Sequence, residues 1–173
     1  MNVLILIIVV IAALLLYVFT RPASFRIERS MRIRATPEKL FALINDFHQW
    51  GSWSPWEILD PSMARAYGNV SVGKGAVYEW QGNKKVGKGR MEIVDSIPSK
   101  SIRIKLDFFA PVEAHNTTEF SFQAQGDVTE VRWAMFGPSP FMSRLMSLFF
   151  NMDKMVGGDF ERGLSNLKNI AEH

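Results

Sequence analysis

The stretch PFMSRLMSLFFNMDKMVGGDFERGLSNLKNIA, residues 140–171, indicates how the rest of the chain folds. Its large apolar residues recur at steps of three and four, which places them on one broad face of a helix of about eight turns. They are Phe141, Leu145, Leu148, Phe149, Met152, Met155, Val156, Phe160, Leu164, Leu167 and Ile170. Pro140 suits the start of such a helix, where its missing N–H costs little. The sequence therefore predicts one long C-terminal helix whose apolar face must be covered.

The chain before this helix contains the strands that can cover it. A first strand at 25–35 alternates apolar and charged residues, and Thr36-Pro37-Glu38 then has the pattern of an N-cap followed by a first helical turn. A second short helix and a loop hold Trp50, Trp53 and Trp56. Six more strands, separated by turn residues, are predicted at 63–69, 76–81, 87–96, 101–109, 112–123 and 128–136. This order predicts an α+β fold, a curved antiparallel sheet of about six to seven strands around the long helix.

The period of two along each strand predicts which side chains face the helix. The inward set comprises Ile102, Ile104, Leu106 and Phe108, then Ala114, Asn116, Thr118, Phe120 and Phe122, then Val131, Trp133 and Met135. Charged residues take the opposite parity, apart from Arg29 on the apolar side of the first strand and Asp95 in register with Met91. Titratable groups on the inner faces are therefore few.

The N-terminus carries an uncharged apolar run at residues 3–19, seventeen residues of which fourteen are Leu, Ile, Val or Phe. Such a helix is about 26 Å long against about 30 Å of hydrocarbon, the short end of what spans a bilayer. A cleaved signal peptide typically has a basic residue before the apolar run and small residues at the cleavage site after it. Neither is present, so we expect an uncleaved anchor at 1–20 and a soluble domain at 21–173.

Basic residues follow this run and bear on its orientation. They are Arg21, Arg26, Arg29, Arg32 and Arg34. By the positive-inside rule they predict that the domain is cytoplasmic. Some of them belong to the first strand, which weakens the count and leaves the periplasmic side as the alternative. The same arginines could instead lie against anionic headgroups or on a solvated strand face.

Composition excludes several other classes of protein. A net charge of +3 with mixed signs gives no argument for nucleic acid. Without cysteine there is no disulfide framework and no thiolate nucleophile, and three scattered histidines lack metal-ligand spacing. The glycine-rich stretch 82–89 lacks the Gly-Lys-Ser/Thr ending and the following helix of a phosphate loop, so we expect a charged hairpin there. We expect neither a metal nor a cofactor.

Five motifs in this order resemble the START-like superfamily, the helix-grip fold, and more closely the bacterial polyketide cyclase/dehydrase-like (SRPBCC) proteins. They are TPEKLF at 36–41, WGSWSPW at 50–56, WQGNKKVGKG at 80–89, MEI at 91–93 and DFERGLSNL at 159–167. The resemblance covers 25–171. It implies a deep cavity between sheet and helix, used across the superfamily for lipids, sterols, polyketides and other apolar ligands. Some members are cyclases or dehydratases.

The inward positions and the resemblance together give a set of candidate ligand-binding residues. They are Trp53, Trp56, Tyr78, Trp80, Met91, Leu106, Phe108, Asn116, Thr118, Phe120, Trp133, Met135, Met152, Met155, Val156 and Phe160. The tryptophans of 50–56 either pack the short helices onto the sheet or cover the cavity mouth. Asn116 and Thr118 either bond neighbouring strands or meet a ligand. Three explanations fit Gly157-Gly158: a kink in the helix, close packing of the helix against the sheet, or space for a ligand.

Three functions fit these observations. An apolar inner face with methionines and few polar groups favours a membrane-anchored module that binds or transfers a hydrophobic small molecule or lipid. The alternatives are a cyclase or dehydratase on a hydrophobic substrate, and a membrane-tethered scaffold whose core is full. Catalysis has little support, because acid–base chemistry needs titratable groups in the pocket, and no catalytic residue can be named. The ligand and the oligomeric state stay open.

Overall fold

The computed structural model describes residues 2–173 and holds five α-helices, a short 3-10 helix and seven strands. The helices are α1 (Asn2–Thr20), α2 (Pro37–Asn45), α3 (Pro55–Leu59), α4 (Phe141–Met146) and α5 (Met152–Ala171), with the 3-10 helix at Phe47–Ser52. The strands are β1 (Ser24–Ile33), β2 (Ala64–Tyr67), β3 (Val77–Gln81), β4 (Lys88–Ile97), β5 (Ser101–Ala110), β6 (Ala114–Gln125) and β7 (Val128–Pro138).

The seven strands form one antiparallel sheet in the order β1-β7-β6-β5-β4-β3-β2. From β2 to β7, each strand therefore pairs with the strand that follows it in sequence. The first strand closes the order by pairing with the last over its whole length, Ser24 opposite Pro138 and Ile33 opposite Thr129. The sheet is curved, and α5 lies along its inner face. The predicted α+β helix-grip architecture is confirmed.

Local signals explain the helix that follows β1. Thr36 is the N-cap of α2, its hydroxyl accepts from the backbone N–H of Lys39 at 3.4 Å, and Pro37 occupies the first turn. Leu40 and Ile44, four residues apart, are fully buried on the core side. The sequence prediction for this turn is confirmed.

The predicted extent of the C-terminal helix is wrong, and the predicted second short helix is instead a 3-10 helix followed by α3. Instead of one helix over 140–171, the chain forms α4, breaks at 147–151 and restarts as α5. The side chain of Asn151 caps the new start by accepting from Lys154 N–H at 2.9 Å. Apolar spacing continues through the break, but Asn competes for helix N–H groups and favours a new N-cap over a helix interior.

Arg29, the charged residue on the inner side of β1, joins β1 to α5. Its guanidinium donates to both carboxylate oxygens of Asp153 at 3.1 and 3.0 Å and to Glu161 at 2.7 Å. A Cβ at Gly157 would collide with that guanidinium, so glycine there permits the close approach of strand and helix. Nothing lies within 4 Å of a Cβ built at Gly158. Close packing, one of the three readings of the glycine pair, therefore explains Gly157.

The apolar N-terminal run forms α1, whose span Val3–Thr20 is long and apolar enough to cross a membrane by length and composition. A signal sequence would pass the same test. Most of its side chains are exposed, but Val18 is fully buried and the Phe19 ring lies 5.0 Å from that of Phe141. The end of α1 therefore packs against α4.

The sheet and α5 enclose an interior with two different halves. The half nearer the β4–β5 and β6–β7 turns, here called the closed end, is filled by apolar side chains with no exposed surface. They are Ile33, Ile93, Ile102, Ile104, Phe120, Leu164 and Leu167. The opposite half, here called the open end, lies nearer the β3–β4 and β5–β6 turns and the first residues of β1. It contains the cavity described next.

Candidate functional site

A cavity of about 250 Å³ occupies the open end, between the sheet, α3 and the first half of α5. Its wall is mostly aromatic and aliphatic. The lining residues are Trp50, Ser54, Trp56, Glu57, Met63, Tyr78, Trp80, Lys85, Val86, Met91, Leu106, Phe108, Thr118, Trp133, Met135, Val156, Asp159 and Phe160. The cavity is therefore lined by residues of five strands, the 3-10 helix, α3 and α5.

Most of the residues predicted to face a ligand meet on this wall. They are Trp56, Tyr78, Trp80, Met91, Leu106, Phe108, Thr118, Trp133, Met135, Val156 and Phe160. Strand alternation places the sheet residues there, and the three- and four-residue spacing of α5 places Val156 and Phe160 on one side of that helix.

Five predicted residues lie elsewhere. Trp53 and Phe120 are fully buried in the core and do not line the cavity. Asn116 is half-buried beside Gly137 of β7, a neighbour across the strand pair. Met152 and Met155 are 50% and 59% exposed, because the first turn of α5 directs Asp153, rather than these two side chains, toward Arg29 of β1.

Seven lining residues were not among the predicted ligand set: Trp50, Ser54, Glu57, Met63, Lys85, Val86 and Asp159. Most come from segments without a clean period of two, namely the 50–63 stretch and the β3–β4 turn, so alternation gave no inward face for them. Asp159 is the exception, since it follows Val156 by three residues on α5 and helical spacing alone could have found it.

The three tryptophans of 50–56 do not share one role: some pack the short helices onto the sheet and one covers the cavity. Trp50 Nε1 donates to the Ile44 carbonyl at 2.9 Å and Trp53 Nε1 to the Leu43 carbonyl at 3.2 Å, which ties this loop to the end of α2. Trp56 is only half-buried and lies edge-on to the rings of Trp133 and Phe160. Trp53 is thus core, whereas Trp56 covers part of the cavity.

Trp133 forms the centre of the aromatic wall. Its ring stacks on Phe160 at 4.2 Å and 7°, and its Nε1 donates to the Thr118 hydroxyl at 2.9 Å. Thr118 in turn donates to the Ala134 carbonyl at 2.8 Å. Thr118 therefore bonds its neighbours across the strands, one of the two readings offered for it, and adds little polarity to the cavity.

Two lining residues, Glu57 and Tyr78, form a polar cluster with Arg65. The Tyr78 hydroxyl donates to Glu57 Oε1 at 2.6 Å, and Arg65 Nε donates to Glu57 Oε2 at 2.8 Å. Burial, reinforced by the Glu57 carboxylate, raises the pKa of Tyr78 above its ordinary value, and the same carboxylate raises the pKa of Arg65. Tyr78 is thus a neutral phenol at neutral pH, hydrogen-bonded to Glu57.

Asp159 is the other acidic side chain on the wall. Burial raises its pKa, and the neighbouring Arg162 only partly opposes that effect. Lys85, exposed in the β3–β4 turn, lines the cavity as well. These charged residues, together with half-buried Trp56 and Val156, mark the cavity mouth between the β3–β4 turn, α3 and α5.

The β3–β4 turn at the mouth is the charged hairpin that the sequence predicts, and it is held in place. Asp60 Oδ2 accepts from the backbone N–H of Asn83 at 2.7 Å, and Trp80 Nε1 donates to the Val86 carbonyl at 2.9 Å. Hydrogen bonds from Ser62 and from the Asn83 backbone lower the pKa of Asp60. Hydrogen bonds to the buried residues Asp60 and Trp80 therefore fix the position of this turn at the mouth.

The chain belongs to the family described as polyketide cyclase / dehydrase and lipid transport, whose model matches residues 24–172. No curated protein is similar enough to count as a match. The family agrees with the resemblance found in the sequence motifs, and it covers nearly the whole chain after α1.

Solved structures share the fold at low sequence identity. Protein CV1439 from Chromobacterium violaceum has a TM-score of 0.60 at 14% identity, over 88% of this chain and 99% of that one. The Aha1 dimer from Colwellia psychrerythraea has 0.60 at 16%, over 86% and 96%. The di-domain ARO/CYC StfQ of the steffimycin biosynthetic pathway has 0.64 at 10%, over 87% and 51%. At these identities the likeness concerns the fold alone.

Proposed function

We propose that this protein is a membrane-anchored module that binds a hydrophobic small molecule or part of a lipid in the open-end cavity. The observation that carries the proposal is the cavity itself, an apolar wall inside a fold whose other half is packed without space. Ligand sites are typically concave, mostly apolar and equipped with a few polar groups.

The volume limits the ligand. An engineered apolar cavity of about 150 Å³ binds benzene, and common pockets span about 300–1,000 Å³. A cavity of about 250 Å³ suits a molecule somewhat larger than a single aromatic ring, or a short stretch of acyl chain, rather than a whole lipid. Met63, Met91 and Met135 on the wall are flexible side chains that adapt to such a shape.

The polar groups of the wall suggest how the ligand is oriented. Thr118, Tyr78 and Glu57 are bonded to one another or to neighbouring residues, whereas Ser54, buried at the start of α3, makes no side-chain capping bond. Its hydroxyl is the wall group we assign to a polar atom of the ligand. Charges at the mouth, Lys85 and Asp159, then lie beside the ligand's outer end.

We propose that α1 is the anchor and that the domain lies on the cytoplasmic side. The helix is long enough to cross, and Arg21 and Arg26 follow it without acidic residues between them. A single cysteine introduced at exposed Lys84 gives a unique label, because the chain has none. In intact cells an impermeant maleimide should leave it unmodified, and labelling there would contradict the assigned side.

The binding proposal is tested on the full-length protein purified in mild detergent, by organic extraction and mass spectrometry of what it carries. Val156→Phe places a ring at the cavity mouth, whereas Met155→Phe adds a ring at an exposed position one residue away. We expect one discrete apolar molecule in the wild type and in Met155→Phe, and at least about tenfold less in Val156→Phe, a loss of about 1.4 kcal/mol. Equal amounts in all three proteins would contradict the proposal.

A second candidate function is acid–base catalysis on the bound molecule, which Asp159 favours because burial raises its pKa while it lines the cavity. Asp159→Asn retains the shape and removes the titration. If the cavity is catalytic, the molecule extracted from this variant should differ by one chemical step from that of the wild type. Identical molecules would leave binding as the sole function.

A further inference from the structure

The segment that interrupts the predicted C-terminal helix exposes a group of large apolar side chains. Met142, Met146, Phe149, Phe150, Met152 and Met155, here called the 142–155 patch, are 63%, 48%, 72%, 51%, 50% and 59% exposed. Exposed apolar side chains are ordinarily scattered singly, and a group of six within fourteen residues instead marks a contact with another apolar phase or molecule. Such residues cost stability in water, so the patch needs a partner.

The patch adjoins the place where α1 meets the domain. Arg144 lies within it and donates to the carbonyl oxygens of Phe19 and Arg21 at 3.4 and 3.1 Å, at the end of α1. Phe141, next to the patch, packs on Phe19. A crevice lined by Arg21 and residues 147–153 joins the two segments. The chain therefore leaves α1 directly beside the patch.

We infer that the 142–155 patch lies in the interface of the bilayer that α1 spans, an inference that rests on the anchor in the proposed function. Continuity with α1 is what selects the membrane over a protein partner. Phe and Met side chains beside exposed Arg21 and Lys154 have the composition of an interfacial segment, apolar groups in the acyl boundary and basic groups near headgroups.

The same placement brings the cavity mouth to the membrane. Val156 and Asp159 follow Met155 on α5 and line the mouth, and the β3–β4 turn with Lys84 and Lys85 lies at the same end of the sheet. An apolar ligand thus passes between the bilayer and the cavity over a short distance, without crossing bulk water.

The absence of cysteine allows a direct test with single spin labels on the full-length protein in phosphatidylcholine/phosphatidylglycerol vesicles. Labels replace Met146 and Phe150 in the patch. Ile97 serves as the control, because it is 44% exposed and lies at the closed end, and Ile11 in α1 is the reference inside the bilayer. Collision with oxygen and with a water-soluble nickel chelate gives the immersion depth of each label.

We expect Met146→Cys and Phe150→Cys labels about 5–10 Å below the headgroups, with Ile97→Cys in water and Ile11→Cys deep in the bilayer. Patch labels as exposed to nickel as Ile97→Cys would overturn the inference while leaving the anchor intact. Labels shielded from both reagents would overturn it too, in favour of a protein contact or a second copy of the chain. An Ile11→Cys label in water would overturn the anchor and this inference together.

Discussion

The two ends of the helix grip use the same strands and the same helix, yet one is packed and the other is hollow. On β5, Ile104 is fully buried at the closed end and Leu106, two residues further along the same face, lines the cavity. On α5, Leu164 fills the core and Phe160 borders the space. The apolar pattern is continuous across the boundary. The cavity therefore arises from what covers the sheet at the open end. A short helix and loops lie over the strands there, in place of a continuous layer of packed side chains.

The largest expected effect is a difference in stability between variants of two residues on the same face of β5. Ile104→Ala should lower the free energy of unfolding by about 4 kcal/mol, because it opens a new void in a packed core. Leu106→Ala should cost about 2 kcal/mol, near the low end for such changes, because its side chain already lacks contacts on the cavity side. Denaturant unfolding of the full-length protein in nanodiscs, followed by tryptophan fluorescence, measures both.

All five tryptophans lie between residues 50 and 133, so this signal reports the domain rather than α1. Equal losses for the two variants would mean that the interior is packed alike at both ends, contrary to the comparison.

Gly163 tests the boundary between the ends. A Cβ at this position would lie 2.7 Å from the Trp133 ring, which is stacked on Phe160 and cannot swing aside. Gly163→Ala should therefore destabilise by about 1–3 kcal/mol. Gly158→Ala, on the same helix with nothing within 4 Å, should instead stabilise by up to about 1 kcal/mol through helix propensity. Thermal unfolding distinguishes the two, and destabilisation by both would argue against the tight boundary.

Enlarging a side chain gives the converse test. Ile104→Phe should destabilise by about 1–3 kcal/mol, since the closed end has no room. Leu106→Phe extends into existing space and should change stability by less than about 1 kcal/mol while displacing the bound molecule. Unfolding midpoints measured with the extraction assay would show whether space and ligand disappear together, and strong destabilisation by Leu106→Phe would mean that no space exists.

The smallest effect is expected on the outer face of the sheet, which belongs to neither half of the interior. The Asp107 carboxylate, 2.7 Å from His115 Nδ1, raises the pKa of His115 above its ordinary value of about 6.5. Burial alone would raise the pKa of Asp107, but hydrogen bonds from His115 and Lys105 outweigh burial and lower it.

The protonated His115 therefore contributes stability that is fully present below about pH 6.5 and is lost as the pH rises through the raised pKa. His115→Gln should remove the fall in stability over that window and leave ligand retention unchanged. An unaltered pH profile of unfolding would show that the pair contributes nothing.

Much of the fold could be predicted because it is encoded locally. Alternation gives the strands and their inner faces, Thr36-Pro37 gives the start of α2, and the turn residues give the hairpins. The break after α4 could not be predicted, because the apolar spacing of Leu148 and Met152 runs through it and only the capping by Asn151 ends the pattern.

The candidate site was predictable where its residues lie on regular elements, such as Leu106 and Phe160. It was not predictable for Ser54, Glu57 or Val86, because those residues reach the cavity through irregular segments whose course depends on tertiary bonds such as Asp60 to Asn83. Arg29 illustrates the opposite case. Its position on the apolar side of β1 was visible in the sequence, but its partners Asp153 and Glu161 lie more than a hundred residues away.

The most direct test of the hollow end uses xenon, which enters apolar cavities, and methyl-labelled methionine in the full-length protein. Met63, Met91 and Met135 line the cavity, whereas Met31 is a half-buried residue of β1 that does not. Under xenon pressure the methyl resonances of the first three should shift in NMR spectra and that of Met31 should stay in place. Unshifted cavity methionines, or shifts as large at Met31, would show that the two ends are equally packed and would contradict the account.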